Sequence, residues 1–396
     1  MKSITLLFIL LLPFTSRSQT WTQKANFGGS ARRSAVAIAI GDKGYTGTGY
    51  NGNFYKDWWE YDPAADTWTQ KADFIGTERF SAVGFTVNNI GYVGTGYDVN
   101  NNFNTSDFYS YDPSANSWVP IASLPPAAAR RYAVGLAVST KGYVGTGVND
   151  YGYLKDFWQY DPDTDTWTQK TDFPGDARYE CISFTIKGRG YIGIGAYSGT
   201  LYHDFYEYNP ETDMWTQKSD YPGSGQDAAF SFAIKDTGYI GGGSDQQNSF
   251  SDFWGWDEFS DTWIQKADFG GAPRAFGVGV TIGAKGYAGL GEQANYYNDW
   301  WEYCPDTSAI PTGNSPVYQK DFFVSEIPGQ SILIHHLFSS ATFSIYDLNG
   351  RKIFSTALNE SNHELLISAK IFGEGIFLYE AREETGISEA GKLLLQ

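Results

Sequence analysis

The residues best suited to chemistry recur in register along the chain. An arginine stands at the same distance before a Gly-Tyr pair in five of six copies of one pattern: Arg32, Arg79, Arg130, Arg178 and Arg274. An aspartate follows each pair: Asp57, Asp107, Asp156, Asp204, Asp252 and Asp299. Guanidinium groups bind carboxylates and other planar acceptors in bidentate fashion. The arginines therefore either grip an anionic group or sugar hydroxyls, or hold loop carbonyls and neighbouring carboxylates. A feature of every copy more often builds the fold, so we interpret the aspartates as loop anchors.

Differences between the copies are better functional indicators than the shared residues. Arg33 and Arg131 add basic groups, Glu78 and Glu180 place carboxylates beside the arginines, and the fifth copy has Gln226-Asp227 instead of arginine. An acid and a base in one pocket can transfer protons. Structural ion pairs explain the same residues equally well, so we assign no catalytic residue.

The segments before each aspartate are the least repetitive parts of the copies, and they are rich in Asn, Tyr, Phe, Gly and Ser. They cover Tyr50–Lys56, Tyr97–Ser106, Val148–Lys155, Ala196–His203, Ser244–Ser251 and Glu292–Asn298. Such a mixture combines rigid aromatic contact area with adaptable hydrogen bonding. We therefore add five tyrosines of these segments to the arginines, Glu78 and Glu180 as predicted ligand-binding residues: Tyr50, Tyr97, Tyr151, Tyr197 and Tyr296.

Metal and nucleophile chemistry lack the residues they need. The repeats contain one histidine, His203, and the other histidines lie near the C-terminus. Copper oxidase and zinc sites depend on imidazole or thiolate ligands. No serine or cysteine nucleophile motif with a positioned histidine is present. We predict no metal and no cofactor. The two cysteines, Cys181 and Cys304, fall in different copies and are predicted to be unpaired.

The charge of the chain excludes one class of partner. The formal net charge is -17, whereas binding to nucleic acid depends on clustered positive charge. We expect no nucleic-acid partner.

The elements that position these residues follow from the repeat itself. A tryptophan recurs with a period of roughly 48 residues, typical of one repeat per propeller blade: Trp21, Trp68, Trp118, Trp167, Trp215 and Trp263. Each copy has four short β-prone runs separated by turns such as Asp112-Pro113. The chain opens with a lone fourth strand at Trp21 and its last copy stops after a third strand at Tyr303. We predict an all-β fold, a six-bladed β-propeller closed by an N-terminal strand.

The repeat resembles a known family. The arginine, an apolar strand, Gly-Tyr-x-Gly-x-Gly, an aromatic strand ending in Tyr-Asp-Pro and a closing Trp are similar to kelch repeats over residues 21–304. The resemblance implies the galactose-oxidase-like propeller superfamily, in which the fold alone sets no function.

The two ends of the chain predict export. A positive start and a short apolar run, Ile4–Leu12, indicate a signal peptide over residues 1–18. We place the propeller over 19–304, a linker over 305–320 and a small β-sandwich over 321–396. Within the last of these, Tyr346–Lys352, Gly375–Tyr379 and Gly391–Leu394 resemble the type A C-terminal sorting domain of the type IX secretion system. That resemblance implies the secretion machinery as a partner. It also implies release or attachment outside the outer membrane, with no transmembrane segment.

These observations predict a secreted or cell-surface protein that binds a carbohydrate or protein ligand through its arginine-lined loop face. One alternative is an enzyme resembling the six-bladed kelch sialic acid mutarotases, since ring isomerisation needs only acid and base groups. The other is a structural adhesion module without a defined pocket.

Overall fold

The computed structural model describes residues 20–223, 227–305, 322–327, 331–336, 340–347, 351–359, 364–368, 375–383 and 388–395. The chain divides into two compact units, Met1–Ala309 and Ile310–Gln396. The described residues form antiparallel β-sheets with no α-helix, and their one short 3-10 helix is Pro126–Ala128. The predicted signal peptide and linker lie outside the described residues, apart from Pro305.

Six four-stranded sheets make up the described part of the first unit, and we number them 1 to 6 by their first strands. The first strands are Val36–Ile40, Val83–Val87, Val134–Val138, Ile182–Ile186, Phe230–Ile234 and Val278–Ile282. The second strands are Lys43–Gly47, Ile90–Gly94, Lys141–Gly145, Arg189–Gly193, Thr237–Gly241 and Lys285–Gly289. The third are Trp58–Asp62, Phe108–Asp112, Phe157–Asp161, Phe205–Asn209, Phe253–Asp257 and Trp300–Cys304. The fourth are Thr67–Gln70, Ser117–Ile121, Thr166–Lys170, Met214–Lys218, Thr262–Gln265 and, in sheet 6, Thr20–Lys24.

The fourth strand of sheet 6 comes from the other end of the unit. Trp21 is the register partner of Tyr303, and Lys24 that of Trp300. The Trp21 ring also packs edge-on against Phe253 and Phe269, with ring centroids 5.0 and 4.8 Å apart. This strand therefore contributes both backbone pairing and aromatic packing to the last sheet.

Apolar clusters fill the space between consecutive sheets. Val36, Ile38 and Ile40 of sheet 1 alternate with less buried residues and pack against Val93 and Tyr111 of sheet 2, as expected of a pleated strand with one deeply buried face. Similar clusters join the later sheets in order. A further cluster joins sheet 6 to sheet 1.

Glycine in the second strand permits close approach to the loop before the third strand. A Cβ atom on Gly94 would clash with the carbonyl oxygen of Asp107 and the ring of Phe108. This approach holds the loop carrying Asp107 against the sheet.

In the second unit, the described residues form seven strands in two antiparallel sheets. The three-stranded sheet contains Phe322–Ile327, Ser331–His336 and Glu364–Ser368, and the four-stranded sheet contains Ser340–Tyr346, Lys352–Asn359, Gly375–Glu383 and Ser388–Leu395. Phe343 and Ile345 are buried.

Short paired segments lie in the loops that precede the third strands, and one more, Arg79–Phe80, precedes the first strand of sheet 2. The segments in the loops are Tyr97–Asp98, Phe103–Asn104, Val148–Asn149, Gly152–Tyr153, Ala196–Tyr197 and Thr200–Leu201. Beside sheet 2, three of these segments form a small separate sheet, in which Phe80 pairs with Tyr97 and Asp98 pairs with Phe103. These pairings bring the variable loops beside the residues that follow the repeated arginines.

Candidate ligand-binding cup

The five repeated arginines are structural. Arg32, Arg79, Arg130, Arg178 and Arg274 have no exposed side-chain surface, and each is ion-paired with the aspartate of its own copy. Arg79 is representative: it donates to Asp107 at 2.5 and 2.8 Å and to the Thr95 carbonyl at 3.0 Å. Its Nε donates to the Thr77 carbonyl at 3.1 Å. A guanidinium satisfied in this way cannot contact a ligand without breaking a buried ion pair.

The aspartates are held just as firmly. Burial acts to raise the pKa of Asp107, but the hydrogen bond and positive charge of Arg79 outweigh it, and the pKa is lowered. Asp57, Asp156 and Asp299 also accept a hydrogen bond from the tryptophan two residues later. In sheets 1 to 4 and sheet 6, the arginines and aspartates thus tie the start of the first strand to the start of the third.

The residue type varies between copies at the position two residues after each repeated arginine, or after Gln226 in the fifth copy. These central positions have positive φ values between 51° and 58°: Ser34, Ser81, Tyr132, Glu180, Ala228 and Phe276. Their backbones hydrogen-bond in series between sheets, for example from the Ser81 amide to the Ser34 carbonyl at 2.9 Å and from the Ser34 amide to the Phe276 carbonyl at 3.1 Å. A non-glycine residue in this conformation is strained by about 1–2 kcal/mol. The common backbone thus displays side chains of five different types at six positions around one point.

Aromatic rings converge on this point. Tyr132, before sheet 3, and Phe276, before sheet 6, have ring centroids 6.0 Å apart. Tyr132 also contacts Tyr179 at 5.9 Å and Phe80 at 6.0 Å. We call this aromatic cluster the cup, and two of its rings, Tyr179 and Phe276, line a pocket.

The variable loops supply the wall of the cup. Tyr97 packs against Phe80 with a centroid distance of 5.6 Å, and Tyr50 lies 5.9 Å from Phe80 and 6.2 Å from Tyr296. Strand-like bridges between the residue after each arginine and the start of each loop hold this arrangement, as in Arg33 with Tyr50. Three of the predicted tyrosines therefore lie at the cup.

Other predicted residues lie elsewhere. Tyr151 is 92% exposed at a loop tip, and Tyr197 is 43% exposed and packs on Tyr153. Glu78 accepts a 3.4 Å hydrogen bond from Asn100, away from the central positions. Gln226 lies outside the described residues. Glu180, in contrast, occupies a central position in the cup.

Charged groups are concentrated on one side of the cup. Arg33 pairs with Glu292 at 2.5 Å and lies over the Phe276 ring, 4.9 Å from its centroid. Asp227 is buried and accepts hydrogen bonds from the Ser244 hydroxyl at 2.7 Å and the Gln246 amide at 3.3 Å.

Glu180 has no donor to its carboxylate among the residues that the structure describes. Its pKa is raised well above the ordinary value, first by burial and then by the charge of Asp227, against the opposing effect of Arg33. Burial likewise raises the pKa of Asp227. Glu180 therefore combines a poorly solvated carboxyl group with a free hydrogen-bonding edge.

Sequence reasoning missed several residues of the cup as candidates. Tyr132, Tyr179, Phe276, Asp227 and Glu292 were not among the predicted ligand-binding residues. One feature of the sequence could have indicated them: the residue type varies among the copies at the position two residues after the repeated arginine.

A separate cavity of about 210 Å³ lies between the starts of the first strands. Small residues such as Ala82, Ala133 and Gly277 line it, together with Cys181. Burial raises the pKa of the Cys181 thiol to about 12. Neither Cys181 nor Cys304 forms a disulfide. Among the described residues, no group of three or more His, Cys, Asp or Glu side chains could hold a metal ion.

Comparison with known proteins supports the class of fold. A family model described as the KLHDC2/KLHL20/DRC7 Kelch-repeats domain matches residues 72–226. The solved structure titled "Structure of YjhT", a kelch-type propeller, is 19% identical over 71% of this chain and 95% of that chain, with a TM-score of 0.60. No curated protein matches the sequence significantly.

The chain is therefore an all-β protein with kelch-repeat sequence and a propeller-like structural neighbour. The family match does not extend to the second unit. No helix in the described part of the chain is long and apolar enough to cross a membrane.

Proposed function

We propose that the protein is an exported, closed six-bladed propeller that recognises carbohydrate in the cup. Six sheets with apolar clusters between neighbours support the blade count. The pairing of Trp21 with Tyr303 in sheet 6 supports closure by the N-terminal strand.

The convergence of Tyr132, Tyr179 and Phe276 carries the proposed recognition function. Sugar rings present apolar C–H faces that stack on aromatic side chains, while their hydroxyl groups require hydrogen-bond partners. Glu180 and Asp227 supply acceptors beside the rings, as expected of a site in which a few polar groups set orientation. Because the five arginines are buried, we assign to these cup residues the ligand contacts that were predicted for the arginines.

Binding of the full mature chain to a glycan array, followed by calorimetry with the best ligand, tests this function. We expect Tyr50→Ala, at the wall of the cup, to weaken binding at least tenfold, about 1.4 kcal/mol. Tyr151→Ala is the matched control, because this exposed tyrosine lies at a loop tip, and it should leave affinity unchanged. Equal affinities for both variants and the natural protein would place the site away from the cup.

A second candidate function is isomerisation of a sugar, the activity of an enzyme like the six-bladed kelch sialic acid mutarotases. The poorly solvated Glu180 carboxyl near Asp227 favours it, because a raised carboxyl pKa suits general acid–base catalysis near neutral pH. Proton NMR of sialic acid anomers should then show faster exchange with the natural protein than with Glu180→Gln. No acceleration at high protein concentration would exclude this activity.

Export through residues 1–18 and surface delivery through the second unit belong to the same proposal. Deletion of residues 321–396 should retain the protein inside the outer membrane, and fractionation of cells would measure this. Release of the truncated chain in normal amounts would show that the second unit is not needed for sorting.

A further inference from the structure

A polar pocket opens on one side of the cup, next to sheets 4, 5 and 6. Its volume is roughly 280 Å³, and its lining includes Tyr179, Glu180, Asp227, Phe276 and Glu292. Four amide side chains complete the lining: Gln246, Gln247, Asn248 and Gln293. The combination of carboxylates, amides and aromatic rings differs from the tyrosine-rich wall opposite.

The negative charge of this pocket is only partly compensated. Arg33 neutralises Glu292, and Asp227 is stabilised by the neutral groups of Ser244 and Gln246. Glu180 has neither an ion pair nor a hydrogen-bond donor among the described residues, although it lines the pocket and is partly buried. A carboxylate that loses part of its solvation without gaining a partner is destabilised, so an incoming cation would gain a favourable interaction here.

The geometry favours an organic cation over a metal ion. Metal binding needs several ligands around one point, and the described residues contain no such group. Tyr179 and Phe276 instead line the pocket together with the carboxylates, and aromatic rings attract ammonium groups. The four amides suit hydroxyl groups around the cation. The net charge of -17 also favours the approach of a positively charged ligand.

We propose that this pocket binds the protonated free amine of an amino sugar through Glu180 and Asp227, with the sugar ring against Tyr179 and Phe276. This inference rests on the proposed function, since it specifies the carbohydrate that the cup selects. The amine is the distinguishing group, because an N-acetylated sugar is neutral at that position.

Three oligosaccharides with the same β-1,4 linkage test the proposal by calorimetry with the full mature chain. They are tetramers of glucosamine, N-acetylglucosamine and glucose. We expect the glucosamine tetramer to bind at least tenfold more tightly than the other two at pH 6 and low salt. The preference should fall as salt increases, because the interaction is between charges.

Two variants separate the pocket from the rest of the molecule. Glu180→Gln should abolish the preference for the amine while retaining weak binding of all three tetramers. Glu78→Gln, which neutralises a carboxylate outside the pocket, should keep the preference, and thermal unfolding would check that both variants fold. A preference that survives in Glu180→Gln would overturn the assignment.

The possible failures are distinguishable. If all three tetramers bind equally well to the natural protein, the amine inference is wrong and carbohydrate recognition stands. If none binds and the glycan array is also blank, the proposed function fails. Binding of a lysine-rich peptide in the absence of any sugar binding would identify a protein ligand and overturn both.

Discussion

Both terminal nitrogens of Arg274 donate to the carboxylate of Asp299, at 2.6 and 2.7 Å, and the arginine side chain has no exposed surface. The same guanidinium donates to the Leu290 carbonyl at 2.9 Å and to the Ala272 carbonyl at 3.0 Å. One side chain therefore joins the segment before the first strand of sheet 6 to the loop before the third strand. The same connection in sheets 1 to 4 makes these arginines part of the scaffold that holds the cup.

Removing one partner of this pair should destabilise the first unit strongly. Arg274→Ala leaves Asp299 without its cation, and breaking a buried pair in this way costs about 3–5 kcal/mol. Lys141→Ala is the matched control: Lys141 pairs with Asp161 at 2.6 Å but is 25% exposed, and a solvent-exposed pair contributes little to stability. Denaturant unfolding of both variants measures the difference. Equal losses of unfolding free energy in the two variants would show that burial does not govern the strength of these ion pairs.

Neutralising Glu180 should stabilise the protein at neutral pH. Because the folded-state pKa of Glu180 is raised, folding favours its protonated form. The contribution of this group to the free energy of unfolding is complete below its pKa in the unfolded state. It is lost as the pH rises through its pKa in the folded state. We expect Glu180→Gln to increase the free energy of unfolding by about 1–3 kcal/mol at pH 8, with no gain at pH 4.

Denaturant unfolding at several pH values tests this dependence, with Glu78→Gln as the control. Asp227, Arg33, Tyr132 and Tyr179 also face or adjoin Glu180, so their own titration must be compared in the natural protein. A gain from Glu180→Gln that does not change between pH 4 and pH 8 would contradict the assigned burial of its charge.

A disulfide can test the proposed closure. Thr20 and Cys304 are register partners in sheet 6, and directly opposed antiparallel residues have Cα atoms about 4.5–5.5 Å apart, within the range of about 4.4–6.8 Å that a disulfide spans. We expect Thr20→Cys to form a disulfide with Cys304 under mild oxidation, detectable by non-reducing peptide mass spectrometry. Thr22→Cys faces Glu302 instead and should remain unlinked. Only intermolecular linkage for Thr20→Cys would argue against the closed arrangement.

The two natural cysteines should differ in reactivity. Cys304 is exposed, whereas burial raises the pKa of Cys181 to about 12. Since the thiolate is the reactive form, a thiol reagent at pH 8 should label one cysteine quickly and the second at least a hundredfold more slowly until denaturant is added. Cys304→Ser should remove the fast phase. Two fast phases in the native protein would show that the cavity containing Cys181 is open to solvent.

Much of the fold could be predicted from local patterns. The recurring tryptophan, the Gly-Tyr pairs and the short apolar strands predicted an all-β repeat protein, because each copy carries the turn residues and alternation of one antiparallel sheet. The lone strand at Trp21 was identifiable because the last copy lacks a fourth strand. The presence of the arginines in nearly every copy also suggested the alternative that they hold loop carbonyls and neighbouring carboxylates.

The sequence by itself determined the repeat, its β-strands and the residues that build each sheet, because these depend on neighbours within one copy. Only the tertiary structure decided which side chains share the cup. Tyr132, Glu180 and Phe276 belong to different copies and meet because the sheets converge at the starts of their first strands. The free carboxylate of Glu180 likewise depends on which groups surround it in space, and sequence spacing does not specify those groups.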